Sequence, residues 1–233
     1  MMSQLPVIIS PMENLNKFID HTLLKPDASE KDIRKLCLEA KENQFATVCL
    51  NPTHIKLAKS LLESTNVGIC TVIGFPLGAG LSSVKAFETR ICIDLGANEV
   101  DMVINIGAVK DGRWQDVTDD IAEVVEAASG RTVKVILETC LLEPDEIIKA
   151  CKAAQSAKAH FVKTSTGFSK GGATLEAVKL MKETVGEDLL VKASGGVRSQ
   201  EDAIAMINAG ASRLGTSSSL TIVGKSQNKA SDY

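Results

Sequence analysis

The chain has 233 residues, of which 44% are hydrophobic and 24% charged, so it is long enough for one large domain or two small ones, and its apolar content excludes disorder over most of its length. Its 26 basic and 29 acidic residues give a net charge of −3, and only 3% of the residues are aromatic. A nucleic-acid-binding protein is therefore disfavoured, since the chain lacks both a basic field and aromatic platforms for base stacking.

The chain begins with MMSQLPVIISPMENLNKF, which has no basic n-region and contains two prolines, so it does not resemble a signal peptide. No apolar run approaches the roughly 18 residues of a membrane span. The six cysteines form no CxxC motif and no cluster with histidine, which indicates reduced thiols and predicts no metal site. We therefore expect a cytoplasmic protein without a membrane partner.

Eight short apolar runs with strand character recur along the chain, and segments of helical periodicity separate them. The runs cover residues 18–24, 45–50, 67–76, 99–107, 132–140, 160–166, 189–196 and 212–218. Several of the helical segments begin with a capping signal, such as Ser29 or Pro144, and several end on glycine, such as Gly96.

Strands that alternate with helices predict a parallel sheet, and eight such units in a chain of this length predict a single-domain (β/α)₈ TIM barrel. The barrel is expected over residues 18–224, after an N-terminal extension (1–17) and before a polar, flexible C-terminal tail (225–233). A doubly wound open sheet is the competing topology. It is disfavoured because the first β–α turn contains no GxGxxG motif.

Charged residues interrupt four consecutive strands at spacings of about one β–α unit. These residues are Asp101, Lys134, Lys163 and Lys192. Alternation places them on the strand faces that point into the barrel, because the opposite faces must pack on helices. Buried charge is costly, so this set needs either partners or a function. Two structural alternatives are an ion-pair network and lysines that extend to the barrel mouth.

Lys163 and Lys192 lie near the ends of adjacent predicted strands. A nearby ammonium group disfavours the charged form of a lysine and so makes it more nucleophilic. Lysines activated in this way form Schiff bases with carbonyl substrates. Asp101 is placed to move protons to and from the carbinolamine and enamine. The pattern indicates an aldolase without identifying its substrate.

Small-residue turns follow the late strands at 165–169, 194–198 and 215–219. In TIM barrels the loops after strands seven and eight commonly bind phosphate, because their backbone N–H groups can approach the phosphate oxygens. Ordinary turn formation is the alternative interpretation.

Seven motifs, in order along the chain, resemble those of deoxyribose-phosphate aldolases. They are IDHTLLKP (19–26), VCLNP (48–52), VIGFPLG (72–78), EVDMVINIGA (99–108), VKVILETC (133–140), FVKTSTGF (161–168) and VKASGGVR (191–198). The resemblance extends from about residue 16 to residue 219. It implies a class I aldolase that needs no metal or cofactor and reversibly splits 2-deoxy-D-ribose 5-phosphate into acetaldehyde and D-glyceraldehyde 3-phosphate, in deoxyribose phosphate catabolism.

The matching motifs also imply site residues. Lys163 would be the Schiff-base lysine, Lys192 its cationic neighbour and Asp101 the proton relay, whereas Lys134 receives no role. The matching phosphate-loop positions are Thr166, Gly167, Gly195, Gly196, Ser217 and Ser218. The positions that match the pocket lining are Asp20, Thr22, Cys49 and Phe75.

The chain departs from some family members at Phe168, where they have a lysine, so one phosphate contact is expected to be missing. Tyr233, the only tyrosine, resembles the C-terminal tyrosine of bacterial members and is a candidate proton carrier if the tail docks. The resemblance also implies a phosphorylated sugar as the substrate and a homodimer or larger homo-oligomer.

Two other interpretations stay open from sequence. The first is a different lysine-dependent barrel, either another sugar-phosphate aldolase or a thiazole-synthase-like enzyme. It is distinguished by whether acetaldehyde serves as donor. The second is a phosphosugar-binding sensor without catalysis, although a pure binder needs no carbonyl nucleophile.

Overall fold

The computed structural model describes residues 14–225, in which eight parallel strands close into a barrel. Each strand pairs with its successor, and the last strand pairs with the first. The strands are β1 Ile19–Leu23, β2 Thr47–Leu50, β3 Gly68–Ile73, β4 Glu99–Val103, β5 Thr132–Ile136, β6 Phe161–Lys163, β7 Leu190–Ser194 and β8 Arg213–Thr216. The predicted (β/α)₈ barrel is confirmed.

Helices cover the outside of the barrel. They are α1 Glu30–Asn43, α2 Ile55–Leu62, α3 Ser82–Leu95, α4 Ile106–Lys110, α5 Trp114–Ala127, α6 Pro144–Ser156, α7 Leu175–Val185, α8 Gln200–Asn208 and α9 Ser219–Ile222. Three short 3₁₀ helices occur at Leu15–Phe18, Pro52–His54 and Thr139–Leu141. Among residues 14–225, no helix is both long and apolar enough to cross a membrane.

The hydrophobic core lies mainly between the barrel and the helices. On β4 and β5 the outward-facing residues Val100, Met102, Val133 and Val135 are buried in this core. Because side chains alternate along a strand, the residues between them point into the barrel. The same alternation that builds the core therefore places Asp101 and Lys134 inside the barrel.

Local signals explain where several helices begin and end. Ser29 caps α1 in a capping box with Asp32, and Pro144 is the first residue of α6. Gly96 ends α3 in the left-handed region at φ 118°, where a β-carbon would lie 2.6 Å from Cδ of Lys59. A side chain at this position would therefore be both strained and crowded.

Several strands are shorter at their carboxyl ends than the apolar runs predicted. The run at 160–166 predicted a strand to Thr166, but β6 ends at Lys163. Thr164 and Ser165 are buried although they lie beyond the strand. The loops at the carboxyl end of the barrel are therefore packed against the rest of the protein. Their apolar residues continue the runs from which the strands were predicted, so the predicted strands are too long.

Residues 1–13 and 226–233 lie outside the described part of the chain. They include most of the expected extension and tail, and with them Tyr233. Leu15, in the 3₁₀ helix before β1, is already buried in the core.

Candidate active site

All four charged residues singled out in the sequence meet inside the barrel, where the three lysines contact Asp101. Asp101 and Lys192 lie in the middle of β4 and β7, and Lys163 is the last residue of β6. Lys163 and Lys192 are direct neighbours in the register of β6 and β7. Of the three side chains only that of Lys163, the last residue of its strand, retains any exposure, so it is the one open to the carboxyl end of the barrel, where TIM-barrel enzymes have their active sites.

Asp101 joins the two lysines. Its Oδ2 accepts a hydrogen bond from Nζ of Lys163 at 2.8 Å and another from Nζ of Lys192 at 2.7 Å. All three side chains are almost completely buried. The sequence predicts that the ammonium group of Lys192 repels that of Lys163. In the structure a carboxylate lies between them, so their mutual repulsion is partly compensated.

The opposite charges of these buried groups keep one another ionised. Burial alone would raise the pKa of Asp101, but the ammonium groups of Lys134, Lys163 and Lys192 outweigh it and hold that pKa well below its usual range. Burial would lower the pKa of Lys192, but Asp101 and Asp20 raise it above its ordinary value. Lys192 is therefore a permanent cation beside Lys163 at neutral pH.

Asp20, expected to line the pocket, lies two residues before Thr22 on β1 and belongs to the ion-pair network. Its Oδ2 accepts from Nζ of Lys192 at 2.5 Å, and its Oδ1 accepts from Nη1 of Arg213 at 2.7 Å and from the hydroxyl of Thr47 at 2.8 Å. Burial raises the pKa of Asp20, but Lys192, Lys134 and Arg213 together lower it below its usual range.

Lys134, which the resemblance left without a role, is fully buried in the same network. Its Nζ lies 2.8 Å from Asp101 Oδ1, 2.5 Å from Glu99 Oε2 and 3.7 Å from Asp20 Oδ2. These carboxylates, with the sulfur of Cys70, overcome burial and raise the pKa of Lys134 well above its usual value. The structural alternative raised for the charged set thus describes Lys134, which is a fixed cation of the network.

Sequence reasoning missed Glu99 and Arg213, which complete the network at the amino-terminal end of the barrel. Nη1 of Arg213 lies 3.1 Å from Oε2 of Glu99. Alternation contained a signal for Glu99, since it precedes Asp101 by two residues on the same strand and so shares its face. Arg213 is the first residue of β8, and the sequence assigns it no function.

The candidate phosphate loops follow three adjacent strands, β6, β7 and β8. Gly167, Gly195 and Gly196 have φ values of 89°, 79° and 82°, which favour glycine. The first two loops pack against each other, because the N–H of Ala173 donates to the carbonyls of Ser194 and Gly195. In the third loop the N–H of Ser218 donates to Thr216 Oγ1 at 2.9 Å.

Gly215, on β8, lies against side chains of β7. A β-carbon at this position would lie 2.9 Å from Cε of Lys192 and 3.0 Å from Cβ of Ser194. The glycine therefore leaves room for the Lys192 side chain to pass along the barrel interior.

Glu138 is a third residue, after Glu99 and Arg213, that sequence reasoning gave no role. It follows β5 with φ 57° and is buried. Its carboxylate accepts hydrogen bonds from the hydroxyl and from the N–H of Thr166, a candidate phosphate-loop residue. Burial raises the pKa of Glu138, and the hydrogen bonds from Thr166 oppose this. Glu138 thus fixes the loop that carries Thr166.

Replacing Glu138 by alanine should lower the free energy of unfolding by about 1–3 kcal/mol, because the N–H and hydroxyl of Thr166 would lose their buried acceptor. Glu138→Gln is the matched control. It keeps an acceptor and carries no charge to bury, so it should be at least as stable as the parent at pH 7. Urea unfolding of both variants checks this. Equal losses in the two variants would contradict the assigned contact.

The other expected pocket residues lie on neighbouring strands. The hydroxyl of Thr22 donates to the carbonyl of Asp20 at 2.8 Å. Cys49 pairs in register with Cys70, and a hydrogen bond with Cys70 lowers the pKa of its thiol. Phe75, beyond β3, contacts the ring of Phe168 edge-on with centroids 5.4 Å apart.

Two groups of buried side chains within residues 14–225 have metal-ligating chemistry. They are Cys49, Cys70 and Asp101, and Asp20, Cys70 and Glu99. Nζ of Lys134 already lies 3.3 Å from the sulfur of Cys70 and 2.8 Å from Asp101 Oδ1. These donor sets are therefore neutralised by a protein cation, and they do not fit a metal ion.

The chain is similar to known aldolases over most of its length. A family model described as DeoC/LacD family aldolase matches residues 15–223. Deoxyribose-phosphate aldolase of Mannheimia succiniciproducens is 58% identical over 221 residues, which cover 95% of this chain and 99% of the relative. That of Streptococcus sanguinis is 59% identical over 219 residues, covering 94% and 99%.

The fold is also similar to solved structures of aldolases. The deoxyribose phosphate aldolase from Aeropyrum pernix, described as having a unique tetrameric structure, superimposes with a TM-score of 0.86 at 35% identity and covers 91% of each chain. A structure described as QR15, an aldolase, gives a TM-score of 0.87 at 43% identity, covering 91% of this chain and 95% of the other.

Proposed function

The chain belongs to the DeoC/LacD family of aldolases, and from this premise we propose that it reversibly cleaves 2-deoxy-D-ribose 5-phosphate to D-glyceraldehyde 3-phosphate and acetaldehyde through a Schiff base on Lys163. The observation that carries the proposal is the position of Lys163. It is the last residue of β6 and the one lysine of the buried network whose side chain retains any exposure, and among the described residues it forms an ion pair with Asp101 alone.

The first half of the reaction requires a neutral amine. The nitrogen of Lys163 attacks the aldehyde carbon of the open-chain sugar, and loss of water from the carbinolamine leaves a protonated Schiff base. Lys192 favours the neutral amine by its fixed charge. The Asp101 carboxylate contacts both lysines, so it can accept the proton that the attacking amine releases.

The second half breaks the carbon–carbon bond. Removal of the proton from the hydroxyl on C3 releases D-glyceraldehyde 3-phosphate, and the bonding electrons move into the protonated Schiff base to form an enamine. Protonation of the enamine carbon and hydrolysis by water then release acetaldehyde and free Lys163. Asp101, through water, is the proposed proton carrier in these steps.

The phosphate of the substrate is assigned to the loops after β6, β7 and β8. The proposed contacts are Thr166, Gly167, Gly195, Gly196, Ser217 and Ser218. Thr22 and Cys49 are neighbours in the register of β1 and β2, and Phe75 contacts Phe168, the residue after Gly167. Asp20 acts in the proposal through Lys192, which it contacts directly, and not as part of the pocket wall.

We also propose that the protein acts in the cytoplasm, in the breakdown of deoxyribose phosphate, as a homo-oligomer. The description of the Aeropyrum pernix relative as tetrameric supports the assembly. Sedimentation equilibrium would test it, and a monomer at micromolar concentration would contradict it.

Reduction with borohydride in the presence of acetaldehyde tests the mechanism. Peptide mass spectrometry should find one ethyl group per chain, on Lys163, and the untreated enzyme should release acetaldehyde from 2-deoxy-D-ribose 5-phosphate. Absence of any adduct on the folded protein would favour a phosphosugar sensor. An adduct only with a larger carbonyl donor would favour a different lysine-dependent barrel.

A further inference from the structure

An ion-pair chain runs through the barrel from its amino-terminal end towards Lys163. It starts at Arg213, whose guanidinium contacts Glu99 and Asp20 and lies over the ring of Phe161. The Arg213 and Glu99 side chains retain 16% and 14% exposure, so this end of the chain touches solvent.

The chain continues inward without a gap. Asp20 binds Nζ of Lys192 at 2.5 Å, and Lys192 binds Asp101 at 2.7 Å. Asp101 in turn binds Lys163 at 2.8 Å. A parallel branch runs from Glu99 through Lys134 to Asp101, over distances of 2.5 and 2.8 Å. Arg213 and Glu99 are therefore coupled to Lys163 through fully buried charges.

The charges of this chain do not balance when every group is ionised. Its cations are Lys134, Lys163, Lys192 and Arg213, and its carboxylates are Asp20, Glu99 and Asp101. One positive charge is thus in excess. Lys163 has a single carboxylate partner among the described residues, whereas each other cation has at least two, so Lys163 loses least when it gives up its proton.

We propose that Arg213 and Glu99 are positioning residues that set, by their charges, the pH at which Lys163 becomes nucleophilic. Arg213 creates the excess positive charge that favours release of the Lys163 proton, and Glu99 limits it. The inference rests on the proposed function, in which Lys163 is the nucleophile. It gives the amino-terminal end of the barrel a part in the chemistry at the opposite end.

Other titratable groups face the same space. Cys49 and Cys70 contribute thiols from β2 and β3, and Cys70 lies 3.1 Å from Asp101 Oδ1. Glu138 faces Lys163 from beyond β5, but its carboxylate is held by Thr166 and lies outside the ion-pair chain. The ionised carboxylate of Glu138 and a thiolate of Cys49 would each supply a further negative charge to Lys163, so the test includes both.

The test is the pH dependence of kcat/KM, whose acid limb reports the free amine that the enzyme needs. In Arg213→Met the charges of the ion-pair chain balance while Lys163 is protonated, so Lys163 holds its proton more strongly. The acid limb should therefore move to higher pH by about one unit. In Glu99→Gln the excess charge is larger, so the limb should move to lower pH by a similar amount. The rate of borohydride trapping should follow the same shifts.

Two further variants separate charge from structural damage. The double variant Arg213→Met/Glu99→Gln removes one charge of each sign, so its acid limb should return to the parent position. If the single variants acted through structural damage, the effects of the two substitutions would instead accumulate in the double variant. Arg213→Lys keeps the charge and loses the planar fork, so its limb should stay at the parent pH. Circular dichroism would check that each variant is folded.

The outcomes distinguish this inference from the proposed function. Trapping at Lys163 with an unmoved limb in both folded single variants would overturn the roles of Arg213 and Glu99 and leave the aldolase mechanism intact. Failure to trap Lys163 in the parent enzyme would overturn both. A limb shift in Cys49→Ser or Glu138→Gln as large as that in Arg213→Met would overturn the inference in favour of a balancing Cys49 thiolate or Glu138 carboxylate.

Discussion

Replacing Lys163 by alanine should lower kcat by about 10⁴-fold or more and abolish the borohydride adduct with acetaldehyde, because the proposed covalent step has no other nucleophile so placed. Lys192 is held by two carboxylates at 2.5 and 2.7 Å and is a permanent cation. To replace Lys163 as the nucleophile, Lys192 would have to lose its proton, and the buried carboxylates of Asp20 and Asp101 would then lose a cationic partner. Steady-state release of acetaldehyde and mass spectrometry of the trapped protein measure the two effects.

Lys179→Ala is the matched control for this variant. Lys179 is an exposed lysine on α7 that lies 3.9 Å from Glu183, so its loss should change neither trapping nor kcat. An adduct that persists in Lys163→Ala and maps to Lys192 would reverse the two roles. Retention of more than about a tenth of the parent kcat in that variant would argue against covalent catalysis altogether.

The barrel itself could be predicted from the sequence because its two periodicities are simple. Alternation along β4 and β5 separates Val100 and Val133, which face the helices, from Asp101 and Lys134, which face the interior. What the pattern could not give was the carboxyl end of each strand. Residues such as Ile104 and Leu137 are fully buried in the loops beyond the strands, and burial is the signal on which the prediction depended.

The site could be predicted in part for a related reason. Spacing brought Lys163, Lys192 and Asp101 to adjacent positions in one interior, but spacing contains no information on which oxygen meets which nitrogen. Spacing therefore predicts the repulsion between two ammonium groups but not the carboxylate that lies between them. It also missed Arg213, because a single arginine at the start of a strand is typical of a solvated edge.

Asp101 is the group on which the buried charges converge. Its two oxygens accept hydrogen bonds from Lys134, Lys163 and Lys192, and Cys70 also donates to it. Three buried ammonium groups without this carboxylate would repel one another in a medium of low dielectric. The residue proposed to move protons is thus also the residue that makes the arrangement of lysines possible.

Replacing Asp101 by asparagine should therefore damage stability and activity together. An uncharged amide leaves buried ammonium groups uncompensated and turns an N–H₂ group towards at least one of them, so the free energy of unfolding should fall by about 3–5 kcal/mol at pH 7. Loss of the proton carrier should lower kcat by about 10²–10⁴-fold. Urea unfolding and steady-state kinetics measure the two losses, with Asp119→Asn on the exposed face of α5 as the control.

The pH dependence of stability gives this prediction a second, independent signature. Because the pKa of Asp101 is well below its usual range, its contribution is fully present above the ordinary aspartate pKa of about 4 and is lost as the pH falls through the lower folded value. The parent should thus lose stability from about pH 4 downwards, and Asp101→Asn should lose less over the same interval. An identical acid decline in both proteins, or an Asp101→Asn variant as stable as Asp119→Asn at pH 7, would show that the lysines do not depend on this carboxylate.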